Sequence, residues 1–348
     1  MEMEHFPSNH MHKKPKGVSF WVAVILGIIL VGSVFVNMIL FLGLVMNFSP
    51  ESVTPQRELQ YHEKPVSGTG KDKIVMLPIN GIILSGSHTN FWGIRQEGMA
   101  ETITQMLKQA KEDEDVKAIL LDIDSPGGGI TACDIIHKEL LKFKESGKKI
   151  VACMEDVAAS GGYYIAAPAD KIIAHPTTVT GSIGVIMQLA NIEGLYQKIG
   201  FRDVTIKSAE KKDIGSPTRP MTEEERTLLQ GIIDEMHARF TEIVDDGREN
   251  LGIEEVRKLA DGSIYTGTQA KLNGLVDEIG YIDDAIETAK KLANVEKARV
   301  IRYEKPFTIR DIFRIASSRL IMGNPAINID MGNLLKDGTP RLMYLWSP

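Results

Sequence analysis

Cysteine is nearly missing: the 348 residues hold only Cys133 and Cys153. That excludes a disulfide-framed scaffold. With Cys133 read on a helix and Cys153 in a buried strand, each reads as a small buried hydrophobe rather than half of a bridge. There is no metal-ligand spacing of cysteine and histidine and no low-complexity block. Nor is there an excess of basic residues. The net charge is −6, which removes the electrostatic case for nucleic-acid binding. What remains is a chain that is 43% hydrophobic, enough for one or two ordinary cores, with no residue pattern that asks for a metal or a cofactor.

Charged side chains are also missing from Val18 to Met46, where Asn37 is the one strongly polar residue. A helix needs about 20 apolar residues to cross a bilayer core, so this stretch spans it with length to spare. Lys13, Lys14 and Lys16 precede it, and the mixed set Glu51, Arg57 and Glu58 follows. Basic residues favour the cytoplasmic side. The expected layout is a cytoplasmic N-terminus (1–17), a single lipid-contacting anchor (18–46) in the cell membrane and an extracytoplasmic remainder. A cleaved signal peptide would have a shorter apolar region, about 7–15 residues, closed by small residues. Val45-Met46-Asn47-Phe48-Ser49-Pro50 has no such ending. Pro50, Pro55, Pro65, Gly68 and Gly70, with scattered charges, mark a linker over 47–72. The folded domain is expected over 73–325 and a C-terminal tail over 326–348.

Beyond Lys73, short apolar runs alternate with helical spacing. Strands are expected at 74–79, 118–123, 150–154, 171–174, 203–207 and 297–303, with a further one emerging from 181–187. Helices are expected at 98–111, 130–143, 160–167, 192–199, 221–250, 253–260, 267–273 and 281–292. Thr222-Glu223-Glu224-Glu225 reads as a capping box with Thr222 as N-cap. The alternation argues an α/β fold with a largely parallel sheet, in which chemistry gathers beyond the carboxyl ends of strands. Three small-residue turns fall there, at 125–129, 160–162 and 181–184, and are expected to converge in one crevice.

Ser160 stands in Val157-Ala158-Ala159-Ser160-Gly161-Gly162-Tyr163-Tyr164, after the apolar run Ile150–Met154. Small neighbours admit a substrate backbone, and a helix begins at the serine, so it reads as an activated nucleophile. It reads equally as a mere N-cap. Ser125-Pro126-Gly127-Gly128-Gly129 leaves backbone N–H groups bare at another helix start. It carries neither phosphate-loop pattern, Gly-Lys-Ser/Thr nor Gly-x-Gly-x-x-Gly. Gly128 and Gly161 are the pair of N–H donors that would suit an oxyanion; the alternative is a tight turn without a ligand. The base is open. His62, His88, His137, His175 and His237 are available, with His175 the best placed. A lysine serves if burial lowers its pKa by about 3 units, and Lys207, Lys211 and Lys212 cluster after the expected strand 203–207.

Four motifs occur in one order: Ser125-Pro126-Gly127-Gly128; Ala159-Ser160-Gly161-Gly162-Tyr163-Tyr164; Thr180-Gly181-Ser182-Ile183-Gly184-Val185; and Lys207-Ser208 with Lys212-Asp213-Ile214, Ser216-Pro217 and Arg219. Over about residues 73–348 they resemble the signal peptide peptidase A family in its short, single-repeat Bacillus-type form. The resemblance implies a crotonase-like fold shared with the Clp protease subunit, and a serine peptidase with a Ser/Lys dyad and no cofactor or metal. Ser160 matches the nucleophile, and Lys212 the general base, with Lys207 in reserve. Ser182 matches a lysine-orienting serine, and Gly128 and Gly161 match the oxyanion donors. It also implies apolar peptide substrates such as remnant signal peptides. It further implies a homo-oligomer, ring- or dome-shaped, whose sites draw groups from neighbouring subunits.

The chain ends in the apolar Pro340-Arg341-Leu342-Met343-Tyr344-Leu345-Trp346-Ser347-Pro348. Such a tail either docks on the subunit surface or reaches a substrate groove as an autoinhibitor. Two rivals to a peptidase remain at this level: an acyl-transfer enzyme of the same fold acting on coenzyme A esters, and an anchored scaffold whose serine is only a cap.

Overall fold

Unbroken rather than alternating apolar runs, as at 74–77 and 118–121, belong to parallel strands covered on both faces. The computed structural model has that architecture; it describes residues 17–47, 61–89, 95–305 and 343–346. The chain divides into two units, 1–58 and 59–348. In the first, α1 (Val18–Asn47) is one continuous helix. Over Phe20–Ile39 it is long and apolar enough to cross a membrane. The Asn37 amide donates to the Ser33 carbonyl at 2.8 Å, which satisfies the polar group within the helix.

The second unit begins with β1 (His62–Gly68), β2 (Lys73–Asn80), and the antiparallel pair β3 (Ser87–Thr89) and β4 (Arg95–Glu97). Then come α2 (Met99–Glu112), β5 (Val116–Ser125), β6 (Gly127–Gly129), α3 (Ile130–Lys144), β7 (Lys149–Ala159), α4 (Gly161–Ala166), β8 (Lys171–Ala174), β9 (Val179–Gly181) and α5 (Glu193–Ile199). After these follow α6 (Glu223–Gly247), α7 (Ile253–Leu259), β10 (Ile264–Thr266), α8 (Gly267–Leu272), β11 (Glu278–Ile279), α9 (Ile282–Leu292), β12 (Arg299–Glu304) and β13 (Met343–Leu345).

The main sheet runs β1-β12-β2-β5-β7-β8-β11, with β9 and β10 branching from β7. Its centre is parallel: β12 with β2, β2 with β5, β5 with β7, β7 with β8, and β8 with β11. Antiparallel pairing is confined to β1 with β12 and β10 with β9. One face carries the larger core, built on Leu77, Ile119, Leu121, Ile136, Leu140, Phe143, Tyr164 and Phe240. The other is closed by α9 through Ala285, Ile286 and Ala289 on Ile74, Leu120, Val151 and Cys153. Both cysteines are free and buried, as their composition implies.

Three departures from the sequence reading have physical causes. β1 lies within the stretch read as a linker. It is exposed along its whole length and carries Pro65, which an edge strand tolerates and which erases any apolar period. Residues 203–207 alternate like a strand yet form none; they stand out from the subunit, Val204 80% and Ile206 96% exposed. β7 runs on from 154 to 159 because its second half changes partner, from β8 to β9. The capping box is present: Thr222 Oγ1 accepts from the Glu225 N–H, and the Glu225 carboxylate accepts from the Thr222 N–H.

Candidate active site

The partner change in β7 delivers Ser160. Ala159 pairs with Gly181, and the Ser160 N–H donates to the Gly181 carbonyl at 2.8 Å. The Ser160 carbonyl accepts from the Tyr164 N–H at 2.9 Å, starting α4. The residue is 1% exposed, and its side chain makes no capping hydrogen bond, so the N-cap reading is not what the structure shows. Its backbone sits at φ 53°, ψ −114°, a conformation that costs a non-glycine residue about 1–3 kcal/mol. Among the described residues only Ser160, Ser182 and Asn294 have positive φ without being glycine. Two of these three strained positions are the two serines singled out by sequence, and strain gathers at functional sites.

The glycine strand comes to the same point. Ile83 donates its N–H to the Gly127 carbonyl (2.9 Å) and accepts from the Gly129 N–H (2.8 Å). A Cβ on Gly128 would collide with the Ile83 backbone. A Cβ on Gly161 would stand 2.6 Å from Cys133 Sγ and 3.0 Å from Gly128 N. Both positions therefore require glycine, and the Gly128 and Gly161 backbones lie side by side next to Ser160. Ser182, half-buried, follows β9 at φ 49° and donates its N–H to Ser263 O at 2.7 Å.

The lysines lie elsewhere. Lys212 falls in a short 3₁₀ turn, Glu210–Asp213, that buries nothing. Its side chain is exposed, and no hydrogen bond joins it to Ser160 within the chain. Lys207 donates to Asp213 Oδ1 (2.7 Å) and to the Glu210 carbonyl (2.8 Å). Arg219 bridges Asp213 (Nε to Oδ2, 2.9 Å) and Glu225 (Nη1 to Oε2, 2.9 Å). The guanidinium, with Lys207, holds the Asp213 carboxyl well below the usual range. The same guanidinium, with the Thr222 N–H, holds Glu225 down to about 2. This network ties the turn bearing Lys212 to the first turn of α6.

None of the described histidines is hydrogen-bonded to Ser160; His137, His237 and His175 meet other groups. Burial pushes His137 down to about 4, and its ring stands edge-on to Tyr164. The His237 ring meets the Ala260 carbonyl (2.8 Å). His175 lies against Tyr281 and Glu155, next to α9. His62 is exposed on β1; the His88 side chain is outside the described residues.

The described part of the tail lies along the glycine strand. β13 pairs antiparallel with β6, Tyr344 opposite Gly128, and the Trp346 N–H reaches the Pro126 carbonyl at 2.8 Å. On its other edge Met343 exchanges both backbone hydrogen bonds with Ile186, at 3.2 and 3.3 Å. The Tyr344 ring stacks on Tyr164 (4.9 Å, 27°), packs on Phe240 (4.7 Å), and donates its hydroxyl to the Met236 carbonyl at 2.9 Å. Burial pushes that phenol's pKa up, so it stays neutral. Burying such a ring is worth about 4–6 kcal/mol by area. Sequence reasoning did not find this pocket; its one local signal was Tyr164, an aromatic just after the small-residue turn.

The model of the family "Peptidase family S49" matches residues 142–296, and that of "Clp protease" matches 82–184, the stretch holding β5 to β9 and Ser160. The α/β fold is thus Clp-protease-like, as expected. A protein of Enterococcus faecium named as a signal peptide peptidase, SppA, is 43% identical over 241 residues, covering 69% of this chain and 70% of its own length. A protein of Methanocaldococcus jannaschii named as a protease is 40% identical over 209 residues, 60% of this chain and 67% of its own. Protease 4 of Salmonella typhi is longer: 34% identity over 261 residues takes in 74% of this chain and 41% of that one. With its family match and its similarity to the Enterococcus protein over two thirds of both chains, the chain belongs to peptidase family S49 and is a serine peptidase.

Proposed function

We propose that the chain is a membrane-anchored endopeptidase that takes extended apolar peptides, remnant signal peptides among them, as an added strand. It cleaves them with a Ser160/Lys212 dyad completed between copies of the chain. The seat of β13 carries this reading. An extended apolar segment, hydrogen-bonded on both edges and anchored by one aromatic side chain beside the serine turn, is how strand addition binds a peptide. The name of the Enterococcus relative supports the signal-peptide class.

The chemistry follows from the groups at hand. The neutral Lys212 amine takes the Ser160 hydroxyl proton as Oγ attacks the peptide carbonyl carbon. The oxyanion rests on the Gly128 and Gly161 N–H groups, each worth about 3–4 kcal/mol. Lys212 then gives the proton to the leaving nitrogen, and the acyl-enzyme is hydrolysed by a water that the same amine deprotonates. Ser182 orients the amine. Lys207, held by Asp213, is the reserve.

The exposed face supports assembly. Leu195, Ile199, Phe201, Val204 and Ile206 are each more than half exposed on the segment that leads to Lys212. Apolar patches of this kind mark interaction sites. A neighbouring copy would cover them and bring its Ser160 to Lys212. In the membrane, α1 would be the anchor, with Lys13, Lys14 and Lys16 on the cytoplasmic side.

Two results are expected. Removing 340–348 raises cleavage of an apolar fluorogenic peptide several-fold at subsaturating substrate, chiefly by lowering KM. Equal rates in the two proteins would reject the tail as a competitor. Arg219→Ala lowers kcat about tenfold or more, because the turn bearing Lys212 loses its tie to α6, and the thermal midpoint falls as well, because the largely covered Asp213 and the buried Glu225 lose the cation they share. An unchanged kcat would show that the network does not position the lysine.

A further inference from the structure

Away from the peptide crevice, beside α9, lies a set of donors that the dyad does not use. β7 and β8 are parallel neighbours in the register Cys153 with Ile173 and Met154 with Ala174. That register brings Glu155, further along β7, level with His175, just past β8. Cys153 Sγ, the Glu155 carboxylate and a His175 ring nitrogen all lie within 4.8 Å of one another. Two of the separations are 4.0 Å (Sγ to Glu155 Oε1) and 3.5 Å (His175 Nε2 to Glu155 Oε2). Cys153 is fully buried. His175 Nε2 is buried without a hydrogen-bond partner, and its ring is fixed against Tyr281, centroids 4.7 Å apart.

Zinc bound by sulfur at about 2.3 Å and by nitrogen or oxygen at about 2.0–2.2 Å has ligand–ligand edges of about 3.3–3.7 Å. The two separations from Glu155 are within a few tenths of an ångström of those edges, and the whole set closes within 4.8 Å. We propose that Cys153, Glu155 and His175 form a site for one Zn²⁺ ion. A sulfur, nitrogen and carboxylate set selects zinc over calcium or magnesium, which take oxygen ligands. On loading, the Cys153 thiol gives its proton to solvent. Thiolate and carboxylate together then balance the two charges of the ion. Glu155 also lines an open cavity of about 490 Å³ together with Asp122, Asp124 and Asp156. Arg302 lines the same cavity and is paired with Asp122 at 3.0 Å, so the opposing charge is already neutralised. The ion would pin β7 to the end of β8, five residues before Ser160, as a structural clamp.

The full-length protein in detergent, stripped with a chelator, is titrated with Co²⁺ as a spectroscopic stand-in for zinc. One Co²⁺ per chain, a thiolate-to-cobalt charge-transfer band and its loss on adding Zn²⁺ are expected, with Zn²⁺ raising the thermal midpoint by several degrees. Cys153→Ser removes the band and Cys133→Ser keeps it. Glu155→Gln and His175→Gln, which leave the buried strand intact, each weaken Co²⁺ binding more than about tenfold. A wild-type protein with no charge-transfer band, a band that survives Cys153→Ser, or wild-type affinity in both Glu155→Gln and His175→Gln overturns the site.

Discussion

Ser160→Ala abolishes peptide cleavage, with kcat falling by about 10⁶-fold, the scale set by removing a nucleophile that works with a single base. Stability should barely change. The hydroxyl caps nothing, and alanine has the same backbone strain as serine at φ 53°, so a change within about 0.5 kcal/mol is expected. That pairing of a dead enzyme with an intact fold separates the peptidase reading from a structural serine. Initial rates on an apolar peptide and labelling by a serine-reactive phosphonate check it, and both signals should vanish together. A variant that still cleaves, or that still takes the label, would move the nucleophile elsewhere in the chain.

Lys212→Ala should be equally inactive, and Lys207→Ala should retain activity. The wild type should gain activity as pH rises, since only the neutral amine accepts the serine proton. The sharper form of the experiment mixes two dead proteins. If each site takes Ser160 from one copy and Lys212 from the next around a head-to-tail ring, subunits of Ser160→Ala and Lys212→Ala assembled one to one regain about a quarter of wild-type activity, the random share of sites with both groups intact. A dyad formed within one chain gives no recovery. If Lys212→Ala alone stays active, the base is Lys207 or a histidine, and the residue match to the family fails at that position.

The sequence made some of this site legible and left the rest invisible for identifiable reasons. Ser160, Gly128 and Gly161 stand out in sequence as small residues between an apolar strand and a helix, a pattern that a cap or a tight turn shares, and the structure brings the three together. The capping box at Thr222 was readable because its partners are three residues apart. The tail's seat was not, because three residues of β13 carry no periodic signal and their partners on β6 are glycines more than two hundred positions away. β1 was hidden by its edge position, which removes the apolar face a strand is recognised by. The alternation at 203–207 misled because it serves no sheet within the subunit. The Cys153, Glu155 and His175 cluster depends on the register of two parallel strands, a quantity that spacing along the chain does not encode.

On the proposed function, the strand that the chain's own tail adds beside Ser160 would change how selectivity works. A competitor carried on the same chain would act at an effective concentration fixed by the chain itself, whatever the amount of enzyme. Each incoming peptide would then exchange for Met343–Leu345 rather than enter a vacant cleft. The tail would thus set a threshold of affinity: segments unable to supply both backbone edges and an aromatic or bulky apolar anchor would lose the exchange. Folded proteins, whose apolar strands are already paired, would not enter it. Discrimination between debris and intact membrane proteins would then rest on the competition itself and need no separate recognition domain.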